Sequence, residues 1–257
     1  MTADPREAGS RSRLIGAVLI RVDRAVSTND LLREMAGSGA QEGTVLVARE
    51  QTGGRGRMGR AWFSPPGGLW WSLLLRPPDP ADARIPLTVA VGVAEGVRTA
   101  CGADVGLKWP NDLILEGRKL GGILVESMPP RVIVGVGINV NMDAPTLPAE
   151  IAETATSLSA SLGHEIDLDA LLRAVLDGVE GAYRMLMAGR GDEVLAHWRR
   201  LSVTLGRPVQ VQHGAERLHG RAIDIDAAGA LLVEPSGGGR TRVIGGDLTV
   251  LEGERRP

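Results

Sequence analysis

Residues 132–140 restrict the fold of this chain more than any other segment, because they read Val-Ile-Val-Gly-Val-Gly-Ile-Asn-Val. A strand with apolar side chains on both faces has to be covered on both sides, so this segment predicts the central strand of a covered sheet. Gly135 and Gly137 leave room within that strand for the close approach of a ligand or of another stretch of backbone.

Shorter apolar patterns predict the rest of an α+β fold, a mixed or antiparallel sheet flanked by helices. Strands are expected at residues 44–48, 68–75 and 105–109, and segments 113–115 and 120–126 are expected to form a hairpin through a tight turn. Helices are expected from Ser27 to about Gly37 and at residues 85–100, 168–188 and 192–205. The spacing of Ser27 and Asp30 matches a capping box, which offers a purely structural explanation of Ser27.

The pattern of the chain changes near residue 203. After Pro208, short alternating runs lie between glycine, aspartate and proline turns, which is typical of a small β-barrel. We therefore expect a disordered N-terminal tail (1–13), a main domain (14–202) and a small C-terminal β-domain (203–257).

Composition excludes several classes of protein. The net charge of −2 and the pI near 6.1 argue against general binding to polyanions such as nucleic acids. Cys101 is the only cysteine, so an intrachain disulfide is impossible, and the four histidines show no metal-ligand spacing. The chain begins without a secretory signal pattern, and the apolar run at residues 14–20 is too short to span a bilayer. We expect a cytoplasmic protein with no membrane partner.

Residues 51–60 form a segment rich in arginine and glycine, here called the arginine loop: Gln-Thr-Gly-Gly-Arg-Gly-Arg-Met-Gly-Arg. Glycine lets a backbone approach a ligand closely, and the guanidinium groups of Arg55, Arg57 and Arg60 suit phosphate and carboxylate groups. The loop is expected to be mobile when empty and ordered when an anion binds. Taken alone, it fits a basic nucleic-acid-binding loop about as well as a small-molecule site.

A series of motifs between residues 20 and 142 resembles, in order, the motifs of bacterial biotin–protein ligases. The first are Ser-Thr-Asn at 27–29, Gln51 followed by Arg-Gly-Arg at 55–57, and Arg-Ala-Trp-Phe-Ser-Pro at 60–65. The others are Lys-Trp-Pro-Asn-Asp at 108–112, Arg-Lys-Leu-Gly-Gly-Ile-Leu-Val-Glu at 118–126 and Gly-Val-Gly-Ile-Asn-Val at 135–140. Each motif alone is weak, but the ordered set is specific. Met58 departs from the pattern, because some members carry another arginine there.

The resemblance implies a class II synthetase-like catalytic domain followed by an SH3-like C-terminal domain. It also implies an activity: biotin and ATP, with Mg²⁺, form biotinyl-5′-adenylate and pyrophosphate. The biotinyl group then passes to one lysine of a biotin carboxyl carrier domain of an acyl-CoA or pyruvate carboxylase. Larger members carry an N-terminal helix-turn-helix domain, for which about 13 residues leave no room, so a monofunctional ligase that does not bind DNA is expected. Members can dimerise through a sheet edge, and a monomer or weak homodimer is expected here.

By resemblance, particular residues are expected to contact the two substrates. Biotin is expected to contact Ser27, Thr28, Asn29, Gln51, Arg55, Gly56, Arg57, Lys119, Gly122, Gly135 and Gly137. ATP is expected to contact Arg57, Arg60, Trp62, Asn111, Asp112, Lys119 and Asn139, with Trp62 stacking on the adenine. Lys119, Arg55 and Arg57 are the expected catalytic residues, and Asp112 is the expected Mg²⁺ ligand. No dedicated base for the acceptor lysine is evident, and solvent or Asp112 could take its proton.

Three other functions stay open at this point. A lipoate–protein ligase shares the general fold and chemistry, although the arginine loop and the motif at 108–112 favour biotin. A non-catalytic nucleic-acid-binding module would use the same arginines, against which the pI near 6.1 argues. A biotin-binding sensor that has lost catalysis is the third, and intact Lys119, Asp112 and Arg57 argue against it.

Overall fold

The computed structural model describes residues 13–142, 147–213 and 216–251, and its main feature is a seven-stranded mixed sheet. In chain order the strands are β1 (Leu19–Ala25), β2 (Val45–Gln51), β3 (Leu69–Leu75), β4 (Gly106–Lys108), β5 (Asp112–Leu115), β6 (Arg118–Met128) and β7 (Arg131–Ile138). They lie in the order β1-β2-β3-β7-β6-β5-β4, with β1 parallel to β2 and the other pairs antiparallel. The predicted central strand is confirmed, because β7 is fourth of the seven.

Helices cover both faces of this sheet. They are α1 (Thr28–Gly37), α2 (Ile85–Cys101), α3 (Ala149–Ala152), α4 (Leu158–Leu162), α5 (Leu168–Met187) and α6 (Gly191–Leu201). On one face, Leu32 of α1 packs with Ile133 of β7. On the other, Val134 of β7 belongs to the main core, to which α2, α5 and α6 also contribute. No helix in the described ranges is both long and apolar enough to cross a membrane.

The C-terminal part forms a second, smaller sheet. Its antiparallel strands are β8 (Pro208–His213), β9 (Glu216–Ile225), β10 (Leu231–Pro235), β11 (Thr241–Val243) and β12 (Asp247–Val250), in the order β11-β10-β9-β8-β12. Val209 and Leu231 belong to the same hydrophobic core as the large sheet. The two sheets therefore share one continuous apolar interior, and helix α6 contacts β9 of the smaller sheet.

The structure differs from the sequence-based expectations in three places. Strand β1 was not predicted, because its charged residues Arg21, Asp23 and Arg24 mask the alternation of an edge strand. Helices α3 and α4 are too short to produce a helical pattern and were also missed. Helix α6 ends at Leu201 and not near residue 205, because the N–H of Val203 donates to the carbonyl of Leu107 (3.0 Å). Residues 1–12 of the predicted tail lie outside the described residues.

Candidate active site

A cavity of about 570 Å³ lies beside the first turn of α1 and the two glycines of β7. It brings together every residue that the sequence predicted for the site, and their roles in binding stay predictions. These lining residues are Ser27, Thr28, Asn29, Gln51, Arg55, Gly56, Arg57, Arg60, Trp62, Asn111, Asp112, Lys119, Gly122, Gly135, Gly137 and Asn139. Segments that are distant in sequence thus form one continuous surface.

The predicted capping box at the start of α1 is wrong. Ser27 occupies the N-cap position with extended backbone, but its side chain makes no capping hydrogen bond. Asp30, the other half of the box, pairs with Arg33 and Arg55. Ser27 is only 4% exposed and lines the cavity, so its hydroxyl is left available to a ligand.

Four polar side chains near the start of α1 form a connected network of hydrogen bonds. They are Thr28, Asn29, Gln51 and Ser72, and together they are here called the polar floor. Gln51 Oε1 accepts hydrogen bonds from the backbone N–H of Thr28 (2.8 Å) and from its hydroxyl (3.0 Å). Ser72 Oγ donates toward Thr28 Oγ1 (2.7 Å) and Asn29 Oδ1 (2.6 Å). The first three line the cavity, whereas Ser72 is completely buried behind them.

Arg55, near the start of the arginine loop, is held by acidic residues of other elements. Its guanidinium donates two hydrogen bonds to Asp30, at 2.5 and 2.6 Å, and lies 3.8 Å from Glu126 Oε1. The hydrogen bond from Arg55, which outweighs desolvation, lowers the pKa of the Asp30 carboxyl to about 2. The expected contact of Arg55 with biotin would therefore start from a paired guanidinium.

The depressed pKa of Asp30 predicts a pH-dependent contribution to stability. Because the folded-state value of about 2 lies below the ordinary 3.8, the stabilisation is complete above about pH 4 and is lost as the pH falls from 3.8 through 2. After allowance for solvent screening, we expect Asp30→Asn to cost about 1 kcal/mol of unfolding free energy at pH 6 and almost nothing near pH 2. Chemical denaturation across this pH range measures the difference, with Asp23→Asn on the exposed face of β1 as a control. A pH-independent difference would contradict the assignment.

Arg57 and Arg60 connect the arginine loop to other parts of the fold. Arg57 donates to Asn111 Oδ1 (3.1 Å) and to the carbonyl oxygen of Gly246 (3.2 Å), and Arg60 pairs with Asp247 (2.8 Å). Burial lowers the pKa of the Arg57 guanidinium, which nevertheless remains a cation at neutral pH. The loop is thereby attached to the C-terminal sheet.

Lys119 and Asp112 form an ion pair inside the cavity. Lys119 Nζ lies 2.7 Å from Asp112 Oδ1 and 5.3 Å from the centroid of the Trp62 ring. Within the part of the chain that the structure describes, no group of three His, Cys, Asp or Glu side chains could hold a metal ion. Asp112 therefore fits Mg²⁺ only as one protein ligand among substrate oxygens, which is a common arrangement for this ion.

The two glycines of β7 make room for protein side chains as well as for a ligand. A Cβ on Gly135 would lie 2.4 Å from Asn29 Oδ1, and a Cβ on Gly137 would lie 2.5 Å from Trp62 Nε1. Trp62 Nε1 is buried and has no hydrogen-bond partner among the described residues. The indole therefore lies directly on the backbone of β7, with a donor that a ligand could satisfy.

Sequence reasoning missed two groups of lining residues. One is apolar and packs near Trp62, and the other belongs to the C-terminal sheet. They are Met142, Leu147 and Ile151 in the first group, and Gln212, Asp247, Leu248 and Thr249 in the second. Asp247 of the second group is separated by 187 residues from Arg60, its partner in the arginine loop, so no local pattern could have identified it. Lys108 also lines the cavity, and its place in the motif at 108–112 was a signal that we did not use.

The charges of the cavity favour anionic ligands. Arg57, Arg60, Lys108 and Lys119 line it, and burial lowers the pKa of the Lys108 ammonium. The side chains of the polar floor, in contrast, are uncharged. A molecule with a neutral polar group and an acidic group would match both kinds of lining.

Comparison with protein families gives two matches. Residues 21–143 match the "Biotin/lipoate A/B protein ligase family", and residues 204–248 match the "Biotin protein ligase C terminal domain". The first range contains the predicted motifs, and the second corresponds to most of the C-terminal sheet.

Individual relatives agree with these families. The chain is 37% identical over 238 residues to the bifunctional ligase/repressor BirA of Bacillus subtilis, covering 90% of this chain and 73% of that protein. It is 36% identical over 260 residues to the biotin–[acetyl-CoA-carboxylase] ligase of Mycobacterium tuberculosis, covering 95% of both. Among solved structures, the biotin protein ligase of Aquifex aeolicus in complex with biotin and ATP superposes with a TM-score of 0.83 at 30% identity, covering 91% of this chain and all of the other.

Proposed function

The chain belongs to the biotin/lipoate A/B protein ligase family, and from this premise we propose that it is an ATP-dependent biotin–protein ligase. It activates biotin as biotinyl-5′-adenylate and transfers the biotinyl group to a lysine of a biotin carboxyl carrier domain. The name of the Mycobacterium tuberculosis relative supports a carboxylase as the acceptor, and the Aquifex aeolicus complex supports biotin and ATP as substrates.

One observation carries the proposal: a single cavity is lined both by uncharged polar side chains and by cations. Thr28, Asn29 and Gln51 provide hydrogen-bonding groups of the kind that a ureido group needs. Arg57 and Lys119 provide the positive charge that a carboxylate and a phosphate need when they meet.

In the first half-reaction, two anions have to be brought into contact. A carboxylate oxygen of biotin forms a bond to the α-phosphorus of ATP, the bond from that phosphorus to its bridging oxygen breaks, and pyrophosphate leaves. Lys119 lines the cavity, and its ammonium offsets the repulsion between carboxylate and phosphate. Asp112 holds this ammonium at 2.7 Å before the substrates arrive.

A magnesium ion would supply charge neutralisation on the phosphate oxygens and would help pyrophosphate to leave. Asp112 is the residue that would hold it, since its carboxylate lies in the cavity and is only partly exposed. The motif neighbour Asn111 is already engaged, because its amide accepts from Arg57 and donates to the carbonyl oxygen of Ile123.

In the second half-reaction, the amine of the acceptor lysine forms an amide bond with the biotinyl carbonyl carbon. The bond from that carbon to the phosphate oxygen breaks, AMP leaves, and the nitrogen loses a proton. Asp112 is a carboxylate within the cavity that is able to accept this proton. Until the acceptor arrives, water must be excluded, because the mixed anhydride hydrolyses.

Arg57 should help to retain the adenylate, because it connects the arginine loop to Asn111 and to Gly246. We expect Arg57→Ala to raise the rate at which biotinyl-adenylate escapes or hydrolyses by about tenfold, since it removes two hydrogen bonds that hold the loop over the cavity. Chromatography of radiolabelled intermediate after removal of free ATP measures this rate. Arg98→Ala on α2 removes an equal charge far from the cavity and serves as the control. Leakage equal to that of the wild type would refute a retaining role.

The alternative function within the same family is that of a lipoate–protein ligase, whose substrate is lipoate. The Mycobacterium tuberculosis relative and the Aquifex aeolicus structure are named as biotin ligases, which favours biotin. The nucleic-acid-binding alternative gains no support, because Arg55, Arg57 and Arg60 are directed to partners within the fold. A sensor without catalysis would have no need for the Lys119–Asp112 pair in the cavity.

Exchange of labelled pyrophosphate into ATP tests the proposal directly. We expect exchange by the purified protein with Mg²⁺ to depend on biotin and to stay at background with lipoate. Exchange with lipoate alone would replace the proposal by lipoate ligation, and no exchange by folded protein with either acid would refute it. Transfer to a purified biotin carboxyl carrier domain, followed by mass spectrometry, then tests the second half-reaction.

A further inference from the structure

Ser72 is a completely buried polar residue that the proposed reaction does not use. It lies in the middle of β3, where every neighbouring side chain is also buried. A hydroxyl in such a place costs free energy unless it is hydrogen bonded. Both of its partners, Thr28 and Asn29, are residues that line the cavity, so its hydrogen bonds are directed toward the site and not into the core.

The amide groups around Ser72 are held in fixed orientations. Asn29 Nδ2 donates to Glu126 Oε2 (2.8 Å), which also accepts from Arg33, so Asn29 Oδ1 must face Ser72. Gln51 Nε2 donates to Ser64 Oγ (2.9 Å), so Gln51 Oε1 must face Thr28. Neither amide can reverse without placing two donors or two acceptors against each other.

With these orientations, the polar floor contains fewer donor protons than acceptors. The hydroxyl proton of Thr28 is directed to Gln51 Oε1. The single hydroxyl proton of Ser72 faces two acceptors, Thr28 Oγ1 at 2.7 Å and Asn29 Oδ1 at 2.6 Å. Because one proton serves one of them at a time, the other lacks a donor.

We propose that Ser72 is a positioning residue that holds Thr28 Oγ1 and Asn29 Oδ1 as a pair of acceptors short of one proton, and thereby selects ligands that donate an N–H. The inference rests on the proposed function and explains how the site would distinguish biotin from lipoate. The ureido group of biotin carries two N–H donors, whereas the dithiolane ring of lipoate carries none. A ligand without a donor removes water from the acceptor oxygen but gives it no hydrogen bond, and this desolvation weakens binding.

The strand next to β3 supports this role. Ser72 pairs with Gly135 of β7, and a Cβ at Gly135 would lie 2.4 Å from Asn29 Oδ1. The missing side chain at Gly135 is therefore what lets the Asn29 amide reach Ser72 at the bottom of the cavity. Two residues on adjacent strands thus fix the same oxygen atom.

Ser72→Ala tests the inference, because alanine fills nearly the same volume and removes only the hydroxyl. Without this hydroxyl, Thr28 Oγ1 and Asn29 Oδ1 lose the group that holds them in place, so the N–H groups of a ligand no longer meet positioned acceptors. We therefore expect the dissociation constant for biotin to rise about tenfold, and the inhibition constant of desthiobiotin, which keeps the ureido group, to rise by the same factor. The inhibition constant of lipoate and the KM for ATP should stay within about twofold of the wild type, so the preference for biotin over lipoate should narrow about tenfold. Titration calorimetry and pyrophosphate exchange supply these constants.

Two further variants complete the experiment. Ser72→Cys keeps a weak donor in place and should therefore lose less affinity for biotin than Ser72→Ala. If Ser72→Ala does not fold, the constants for biotin, lipoate and ATP are compared in Ser72→Cys instead. Thr88→Val removes another fully buried hydroxyl, one that donates to the carbonyl oxygen of Arg84 in α2, and should change none of the constants.

The possible outcomes separate the inference from the function on which it rests. Unchanged biotin affinity in Ser72→Ala, with an active wild type, overturns the inference alone. Equal losses for biotin, lipoate and ATP also overturn it, because they would indicate general damage to the fold. A wild-type protein that binds no biotin and shows no biotin-dependent exchange overturns both the inference and the proposed function.

Discussion

Replacing Lys119 with alanine should lower biotin-dependent pyrophosphate exchange by at least about a hundredfold, the usual cost of removing a group that stabilises developing charge. Its ammonium lines the cavity, 2.7 Å from Asp112 and beside the ring of Trp62. Alanine would leave Asp112 without its counter-ion and would add a net negative charge where two anions have to meet. Steady-state exchange at saturating biotin and ATP measures the effect.

The fold should tolerate this change. The backbone of Lys119 is held by hydrogen bonds to residues 154 and 156, which an alanine would keep, and its side chain is 37% exposed. We therefore expect an unchanged circular dichroism spectrum and a melting temperature within about 3 °C of the wild type. Arg118→Ala, the adjacent and exposed cation on the same strand, should retain nearly full exchange. Normal exchange by folded Lys119→Ala would remove the lysine from the mechanism.

Replacing Gly137 with alanine should reduce exchange by about a hundredfold through a steric effect on Trp62. The new Cβ would lie 2.5 Å from Trp62 Nε1 and 2.9 Å from its Cε2, which is closer than real atoms approach. The strand cannot move away, because β7 is hydrogen bonded to β3 at Trp70 and to β6 at Gly122. The indole must therefore leave its position, and with it the surface predicted to stack on adenine.

The kinetic signature should distinguish this mechanism from general damage. We expect the KM for ATP to rise more than the dissociation constant for biotin, because the three atoms nearest to the new Cβ all belong to Trp62 and none belongs to the polar floor. Gly181→Ala on α5 is the matched control, since a Cβ there meets no atom within 4 Å and alanine favours a helix. If the Gly137→Ala variant bound ATP as the wild type does, this result would contradict the idea that the missing Cβ of Gly137 makes room for the indole of Trp62.

Sequence patterns predicted the parts of the fold that local physics determines. The apolar run that became β7 had to be covered on both faces, and the hairpin of β5 and β6 follows from its tight turn at Glu116 and Gly117, both of which have positive φ. Strand β1 gave no such signal, because its stability comes from parallel pairing with β2 and not from its own composition.

The site was predictable where motifs coincide with strand ends and unpredictable where distant segments meet. Ser27 and Asp30 illustrate the limit, because their spacing matched a capping box that does not form. Asp30 pairs instead with Arg55, a long-range contact that no local spacing reveals. Asp247 is a second example, because its place in the site follows from its pairing with Arg60, which lies 187 residues earlier in the chain. The burial of Ser72 behind Thr28 likewise depends on the register of three strands and a helix.

The attachment of the arginine loop to the C-terminal sheet has a consequence for synthesis on the ribosome. Every motif of the cavity, from Ser27 to Asn139, has left the ribosome before Gly246 and Asp247 are made. A nascent chain can therefore form the large sheet and the polar floor while the cavity still lacks the lining supplied by residues 247–249. On the proposed function, β12, the last of the described strands, completes the site of a newly made molecule when it pairs with β8.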